Sequence, residues 1–404
     1  WAFRDVLKNQ QNSAYKDWFS IKSWNDAALN TKFEYEGWFG VKELPELRED
    51  ENGIVDGPKE YIFEITKRWM DPDNDGNPGD GIDGWRLDVA FCVKHPFWKD
   101  WRKHVRTIND EAYLVAEVVD SIEVNEPYLR GDEFDAVMNY NFAFACSEYF
   151  ISDKTRVKTS EFDKLLKDLR DAFPGEVAFV QQNLVGSHDA NRVGSHIVNK
   201  DLASFRDWPK YYDISKGSNP AYNIRKPTLE ELEIQKLLLF FQMTYIGAPM
   251  IYYGDEVGMW GANDPDCRKP MIWDDFNYEQ EHFLPDQTKK NIPDSVSVNH
   301  QLLNYYKKLI KIRNSHIALK LGDFKTLLTD DENEVYAFER NYQKQSLVVV
   351  INNKSFDQEV HLITDHKEYF KDIINEEIIK PEEGKISFKL AGRSGLILLK
   401  EYYR

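Results

Sequence analysis

Between residues 57 and 317 the apolar positions switch repeatedly between two spacings, and each switch marks an element. Recurrence every three to four residues predicts helices over 58–69, 96–108, 160–173, 229–246 and 297–315. Ser160 reads as an N-cap and Gly247 as a helix stop. Short apolar runs bounded by turn residues predict strands over 84–88, 112–117, 136–138, 178–184 and 249–253. Strand and helix alternating in this way is the pattern of an α/β domain built on a parallel sheet. Residues 1–56 are rich in aromatics and charge with little periodicity, so they read as an irregular, loop-rich subdomain. From 318 to 404 the texture changes to strands at 335–339, 346–351, 359–363, 386–390 and 395–399, separated by turns such as Asn352-Asn353 and Glu383-Gly384. That stretch is expected to be a small all-β domain.

Three of the strand-like segments end in, or lead to, a carboxylate: Asp88 after Gly84-Trp85-Arg86-Leu87, Glu117 after Tyr113-Leu114-Val115-Ala116, and Asp189 after Gly186-Ser187-His188. In a β/α barrel the C-terminal strand ends converge, so acids placed this way are expected to meet in space. Glycosidic cleavage with retention needs one ionised carboxylate as nucleophile and one protonated carboxyl as acid. Arg86 lies two residues before Asp88, on the same strand face, where its guanidinium can keep the carboxylate ionised. Glu117 follows four residues of a strand expected to be buried, a setting that raises a carboxyl pKa toward that of an acid catalyst.

A second acidic constellation precedes the first strand. Asp71-Pro72-Asp73-Asn74-Asp75-Gly76-Asn77 sets acids at alternate positions with glycine at the sixth, as calcium loops do. The bidentate Glu of such loops is missing at the twelfth position, Ile82, and Asp80 or Asp83 can substitute. The expected ligands of a structural calcium ion are therefore Asp71, Asp73, Asp75, Asn77 and Asp80, against the plain alternative of a solvated acidic turn.

Composition narrows the partners. The 404 residues are 42% hydrophobic and 30% charged, which describes a globular chain, and the length favours two or three domains. A net charge of −17 repels phosphate backbones and no basic patch offsets it, so nucleic acid is excluded as an expected partner. No apolar run reaches the roughly 20 residues of a membrane span. Cys92, Cys146 and Cys267 are too few and too far apart for a disulfide framework or a metal cluster. Ser187-His188-Asp189 carries the letters of a hydrolase triad, but consecutive residues are expected to point apart.

These motifs bring the chain to a known pattern: it resembles the α-amylase clan of glycoside hydrolases, and within it the neopullulanase and cyclomaltodextrinase group, over most of its length. Asp83-Gly84-Trp85-Arg86-Leu87-Asp88-Val89-Ala90 looks like the family's nucleophile motif, Ala116-Glu117-Val118-Val119 like its acid/base motif, and Leu184-Val185-Gly186-Ser187-His188-Asp189 like its third acid motif. The resemblance implies Asp88 as nucleophile, Glu117 as acid/base, Asp189 as transition-state stabiliser and His188 as a sugar contact. It extends to 134–140, 35–45 and 261–273, and implies that Asp264 and Arg268 contact further glucose units. The implied fold is a (β/α)8 TIM-type barrel, of which the C-terminal five strands lie in this sequence at 57–317, followed by a C-terminal antiparallel β-sandwich at 318–404.

Two departures from the pattern stand out. Val119 occupies a position where relatives usually carry an aromatic, and the family's first motif, expected just upstream of Trp1, is absent. The sequence is therefore expected to be the C-terminal portion of a longer protein. The implied substrate is an α-glucan cleaved at α-1,4 links, whether maltodextrin, cyclomaltodextrin or pullulan. A transglycosylase using the same residues and a non-catalytic glucan-binding member are the open alternatives, although the latter usually lacks a catalytic acid. The resemblance further implies pairing of subunits through an N-terminal domain and leans toward a bacterial periplasmic or extracellular setting.

Overall fold

A computed structural model describes residues 1–202, 204–365 and 368–402, and the chain divides into two compact units. The first comprises Trp1–Val119 with Glu123–Met138, the second Asp120–Ile122 with Asn139–Arg404.

The first unit opens with helix α1 (Ala2–Asn9), within the stretch expected to be loop-rich. The helix forms because Ala2 and Val6 share a face that packs on Phe19, with Phe3, Tyr15 and Trp18 around them. Trp1, Tyr15, Trp18 and Tyr61 meet edge to face with centroids 4.9 to 5.7 Å apart, so the aromatics of this region build a small core of their own. Helix α2 (Asp56–Met70) and helix α3 (His95–Ile108) flank strand β1 (Gly84–Leu87) in sequence. Strand β1 pairs in parallel with β2 (Tyr113–Ala116), and β2 with β3 (Ala136–Val137). The register sets Leu87 beside Ala116 and Ala116 beside Val137, so the three strands end at one level.

In the second unit helix α4 (Thr159–Asp171) has Lys158 at its N-cap position, and Ser160 is not its cap. Ser160 instead lies inside the first turn, where its N–H and hydroxyl both donate to the Asp331 carboxylate at 2.8 Å. The strand expected over 178–184 is another correction. Val177–Val180 is a helical turn with half-exposed side chains, and only β4 (Gln182–Asn183) is extended. Helix α5 (Leu229–Thr244) opens with a reciprocal capping box between Thr228 and Glu231 and is buried along most of its length. Strand β5 (Ala248–Pro249) pairs in parallel with β4, and the hairpin β6 (Glu281–Phe283) and β7 (Lys289–Asp294) precedes helix α6 (His300–Ser315). Asn139 N–H donates to the Gln182 carbonyl at 2.9 Å, and its side chain bonds that of Asn183 at 2.8 Å.

Apart from three short antiparallel strand pairs within residues 21–54, the other strands form the expected all-β region. A six-stranded antiparallel sheet runs in the order β8 (Lys325–Asp330), β9 (Val335–Tyr342), β10 (Gln345–Asn352), β15 (Ser394–Tyr402), β12 (Glu368–Asp372) and β13 (Ile378–Ile379). A separate pair joins β11 (Gln358–Ile363) to β14 (Lys385–Leu390). Alternate residues of these strands (Val348 and Val350, Val360 and Leu362, Leu396 and Leu398) enter one apolar core between the two sheets. The sheet also meets α5: a side chain at Gly395 would place its first carbon 2.2 Å from the Phe240 ring, so only glycine permits this approach. No helix of the described residues is long and apolar enough to cross a membrane.

Candidate active site

In the first unit Asp88 stands one residue beyond β1, and Glu117 one residue beyond β2. The Glu117 N–H donates to the Leu87 carbonyl at 3.0 Å, and the Glu117 carbonyl accepts from the Ala90 N–H at 3.1 Å, so backbone bonds fix one strand end against the other. Between the acids lies Val89, whose φ of 45° and ψ of 46° are left-handed. A β-branched residue rarely adopts that conformation, and strain of this kind clusters at functional sites. It turns the Val89 N–H onto the Glu117 carboxylate at 2.9 Å.

One guanidinium serves both acids. Arg86 Nη1 lies 2.5 Å from Asp88 and Nη2 2.5 Å from Glu117, while Nε meets the Met138 sulfur at 3.3 Å. The acids differ in environment: the Asp88 side chain is 75% exposed and that of Glu117 only 8%. Met138 ends the strand expected over 136–138, and its contact with Arg86 is one the sequence does not declare. The nearest signal for it is its place at the end of a parallel strand, beside the two strands that carry the acids.

In the second unit Asp189 and Arg268 form the corresponding pair, with Nη2 at 3.1 Å from the carboxylate, and Arg268 Nε reaches Asp264 at 2.7 Å. Arg268 Nε also donates to the His188 carbonyl at 2.9 Å, as does the Cys267 thiol at 3.2 Å. His188 Nε2 lies 3.0 Å from Asp189, which corrects the expectation that these neighbours point apart. The Ser187 hydroxyl is fully buried, 3.0 Å from Tyr140, and accepts the Asp189 N–H at 3.1 Å. Ser187 is therefore a turn-former, and the three letters still do not make a serine triad.

Beneath this turn lies a pair the sequence reading did not find. Arg192 and Asp255 are both buried, 3.3 Å apart, with the guanidinium 4.7 and 4.8 Å from the ring centroids of Tyr252 and Tyr253. A carbon added at Gly186 would sit 3.2 Å from Asp255, so that carboxylate packs directly under the start of the Gly186–Asp189 turn. Burial pushes the Asp255 carboxyl up to about 7, against the pull of Arg192.

The acidic loop assembles only part of its expected ligand set. Carboxylate oxygens of Asp71, Asp73 and Asp80 come within 4.8 Å of one another, a spacing that ligands 2.3 to 2.6 Å from a shared calcium can adopt. Asp75 is outside that group and accepts the Asn77 N–H at 2.7 Å, while Asn77 accepts the Gly79 N–H at 3.1 Å. Asp73 makes the same kind of bond, accepting the Asp75 N–H at 3.1 Å, because short Asp and Asn side chains reach the amide two residues on. The three cysteines are free thiols, Cys146 and Cys267 buried and Cys92 half-buried.

Residues 1–210 and 223–322 match the alpha amylase catalytic domain, and residues 322–398 the alpha-amylase C-terminal domain. The chain belongs to the alpha-amylase family of glycoside hydrolases, whose catalytic domain is a TIM barrel. It is 34% identical to Neopullulanase 2 of Thermoactinomyces vulgaris over 98% of its own length and 57% of the relative's. Identity to a Cyclomaltodextrinase of Thermoanaerobacter pseudethanolicus is also 34%, covering 89% of this chain and 51% of that one. The solved structure of a cyclomaltodextrinase superposes with a TM-score of 0.74 at 28% identity, over 99% of this chain and 57% of that one. The chain thus spans about half the length of the relatives it matches.

Proposed function

We propose that the chain carries the catalytic machinery of a retaining α-glucan hydrolase acting on α-1,4 links in maltodextrins, cyclomaltodextrins or pullulan. The observation that carries this reading is the single Arg86 guanidinium bound to both Asp88 and Glu117. Two carboxylates sharing one guanidinium suit the separation of about 5 to 5.5 Å typical of retaining enzymes better than the roughly 6.5 to 9.5 Å of inverting ones. Exposed Asp88 is the group a sugar can reach, so it attacks the anomeric carbon and forms the glycosyl-enzyme. Buried Glu117 protonates the leaving sugar and then takes a proton from the incoming water. Asp189 bonds sugar hydroxyls as the ring flattens, while His188, Asp264 and Arg268 contact the substrate. The names of the relatives support the α-glucan substrate.

Replacing Asp88 by Asn is expected to abolish release of reducing sugar from maltodextrin while the circular dichroism spectrum stays that of the wild type. Turnover at the wild-type rate would end the proposal. Glu117→Gln is expected to retain far more activity on a glucoside with a good leaving group than on maltodextrin, since such a substrate needs no protonation to depart. Equal losses on both would remove Glu117 from the acid's role.

The same reading includes a structural calcium ion held by Asp71, Asp73 and Asp80, just before the strand that leads to Asp88. Adding calcium to chelator-treated protein is expected to raise the melting temperature by several degrees, as any ligand selective for the native state does. Asp73→Asn should erase most of that gain; a melting temperature indifferent to calcium would leave the loop as a plain acidic turn. We divide the chain at 1–56, 57–317 and 318–404, and the last boundary is supported by the continuous antiparallel pairing of the strands that follow it.

A further inference from the structure

A cavity of about 590 Å³ opens in the second unit beside Asp264 and Arg268. Its size falls within the range of small-molecule sites, about 300 to 1,000 Å³. One side carries Asp264 and Arg268, and the other is made by Lys216, Gly217 and Ser218 together with Pro285 and Asp286 at the tip of the β6–β7 hairpin. In this wall Lys216, Gly217 and Ser218 fall within residues 211–222, outside the stretches that match the family's catalytic domain, whereas Pro285 and Asp286 lie inside them.

The wall is a built feature. Buried Asn263, the residue before Asp264, exchanges backbone and side-chain bonds with Ser215, at 3.0 Å in each case, and its amide also bonds the Tyr212 carbonyl. Asn219 holds the Ile214 carbonyl at 2.7 Å. A carbon added at Gly217 would lie 2.9 Å from Pro285, so the segment and the hairpin tip are in close contact. The wall and Asp264 are thus fixed to one another.

The chemistry of the lining selects a class of ligand. Three acids (Asp264, Asp266, Asp286) balance three bases (Lys216, Arg268, Lys269), which disfavours a charged ligand. Most of these charges are engaged: Asp264 with Arg268 at 2.7 Å, Asp266 with Lys269 at 3.8 Å, and Lys216 with Asp213 at 2.6 Å. Asp286 is exposed and accepts the Thr288 N–H at 2.9 Å, which leaves carboxylate lone pairs for a ligand, and exposed Ser218 offers a hydroxyl. Donors and acceptors interspersed around a neutral space match the hydroxyls of a sugar, each of which both donates and accepts.

We propose that this cavity is a glucosyl-binding subsite and that Ser218 and Asp286 determine how strongly the protein favours longer α-glucan chains. The proposal rests on the reading of Asp264 and Arg268 as sugar contacts. A chain long enough to pass these two residues gains hydrogen bonds from the wall, whereas a short one does not reach it.

The test compares kcat/KM for maltohexaose with kcat/KM for maltotriose. In the double variant Ser218→Ala, Asp286→Ala their ratio is expected to fall about tenfold, the size of effect one or two net hydrogen bonds produce. Gly217→Ala, which pushes the hairpin tip away without removing a polar group, is expected to lower the ratio in the same direction. An unchanged ratio in both variants, including one in which both substrates slow equally, overturns the proposal. Inactivity of the wild type on every glucan would instead contradict the catalytic reading. Calorimetric titration with maltohexaose then still probes the cavity: weaker binding by the double variant supports the subsite, and equal affinity, or no binding to either protein, overturns it.

Discussion

Buried titratable side chains give the second unit a pH response that can be separated group by group. His196 is fully buried against Ser147 at 3.0 Å, and burial lowers its pKa to about 3. A depressed histidine contributes stability present above its unfolded value, about 6.5, and lost as pH falls toward 3. Asp255 is the reverse case, raised to about 7 by burial: its contribution is full below its unfolded value, about 4, and is lost as pH rises through 7. The two slopes oppose each other across the same window. His196→Gln is therefore expected to gain on the wild type in thermal midpoint as pH drops from 6.5 to 4, and Asp255→Asn to lose on it. Parallel curves for wild type and both variants would show that neither group titrates as its burial requires. The candidate site was legible at this scale where chemistry is written locally: Arg86, Asp88 and Glu117 declare themselves by strand-end position. Arg192 and Asp255 are 63 residues apart, and no local pattern pairs them.

Elements were legible where periodicity was strong and misread where the ends decide. The long helices follow their apolar stripes, but what terminates α5 is tertiary. Arg313 of α6 donates to the carbonyls of Met243 and Tyr245 at 2.8 and 3.0 Å and to that of Gly247, and Arg340 of β9 donates to Thr244 at 2.7 Å. The Met243 and Thr244 carbonyls belong to the last turn, which the helix leaves unpaired, and two buried cations also suit its negative pole. Burial lowers Arg313 to about 10 and Arg340 to about 9, and bonds to carbonyls compensate the desolvation. Arg313→Met should cost about 3 kcal/mol or more, since it strands several buried carbonyls at once. Denaturant titration beside Arg130→Ala, whose exposed pair with Glu126 is expected to contribute nothing measurable, checks this. Similar midpoints for the two would refute the capping role. The Ser160 and 178–184 misreadings have the same origin: Asp331 supplies the bond Ser160 was expected to give, and Val177–Val180 is half-exposed, so burial does not hold it extended.

At the scale of the whole molecule, the succession of parallel strands and then antiparallel strands was readable because the apolar run length and the turn spacing change near residue 318. Strands β8, β12 and β13 were missed because their side chains are mixed in polarity, and only pairing of β8 with β9, of β12 with β15 and of β13 with β12 makes them strands. Family membership is established over the chain, whereas the chemistry rests on Asp88 and Glu117 acting as a retaining pair. The most direct test is to incubate the protein with maltohexaose and follow the anomeric proton signals of the fresh reducing ends by NMR, with Asp88→Asn as the blank. The α-anomer is expected to appear first, with the β-anomer growing in only by mutarotation, while the blank stays flat. Initial appearance of the β-anomer, or equal sugar release by the Asp88→Asn variant, would contradict Asp88 and Glu117 as a retaining pair.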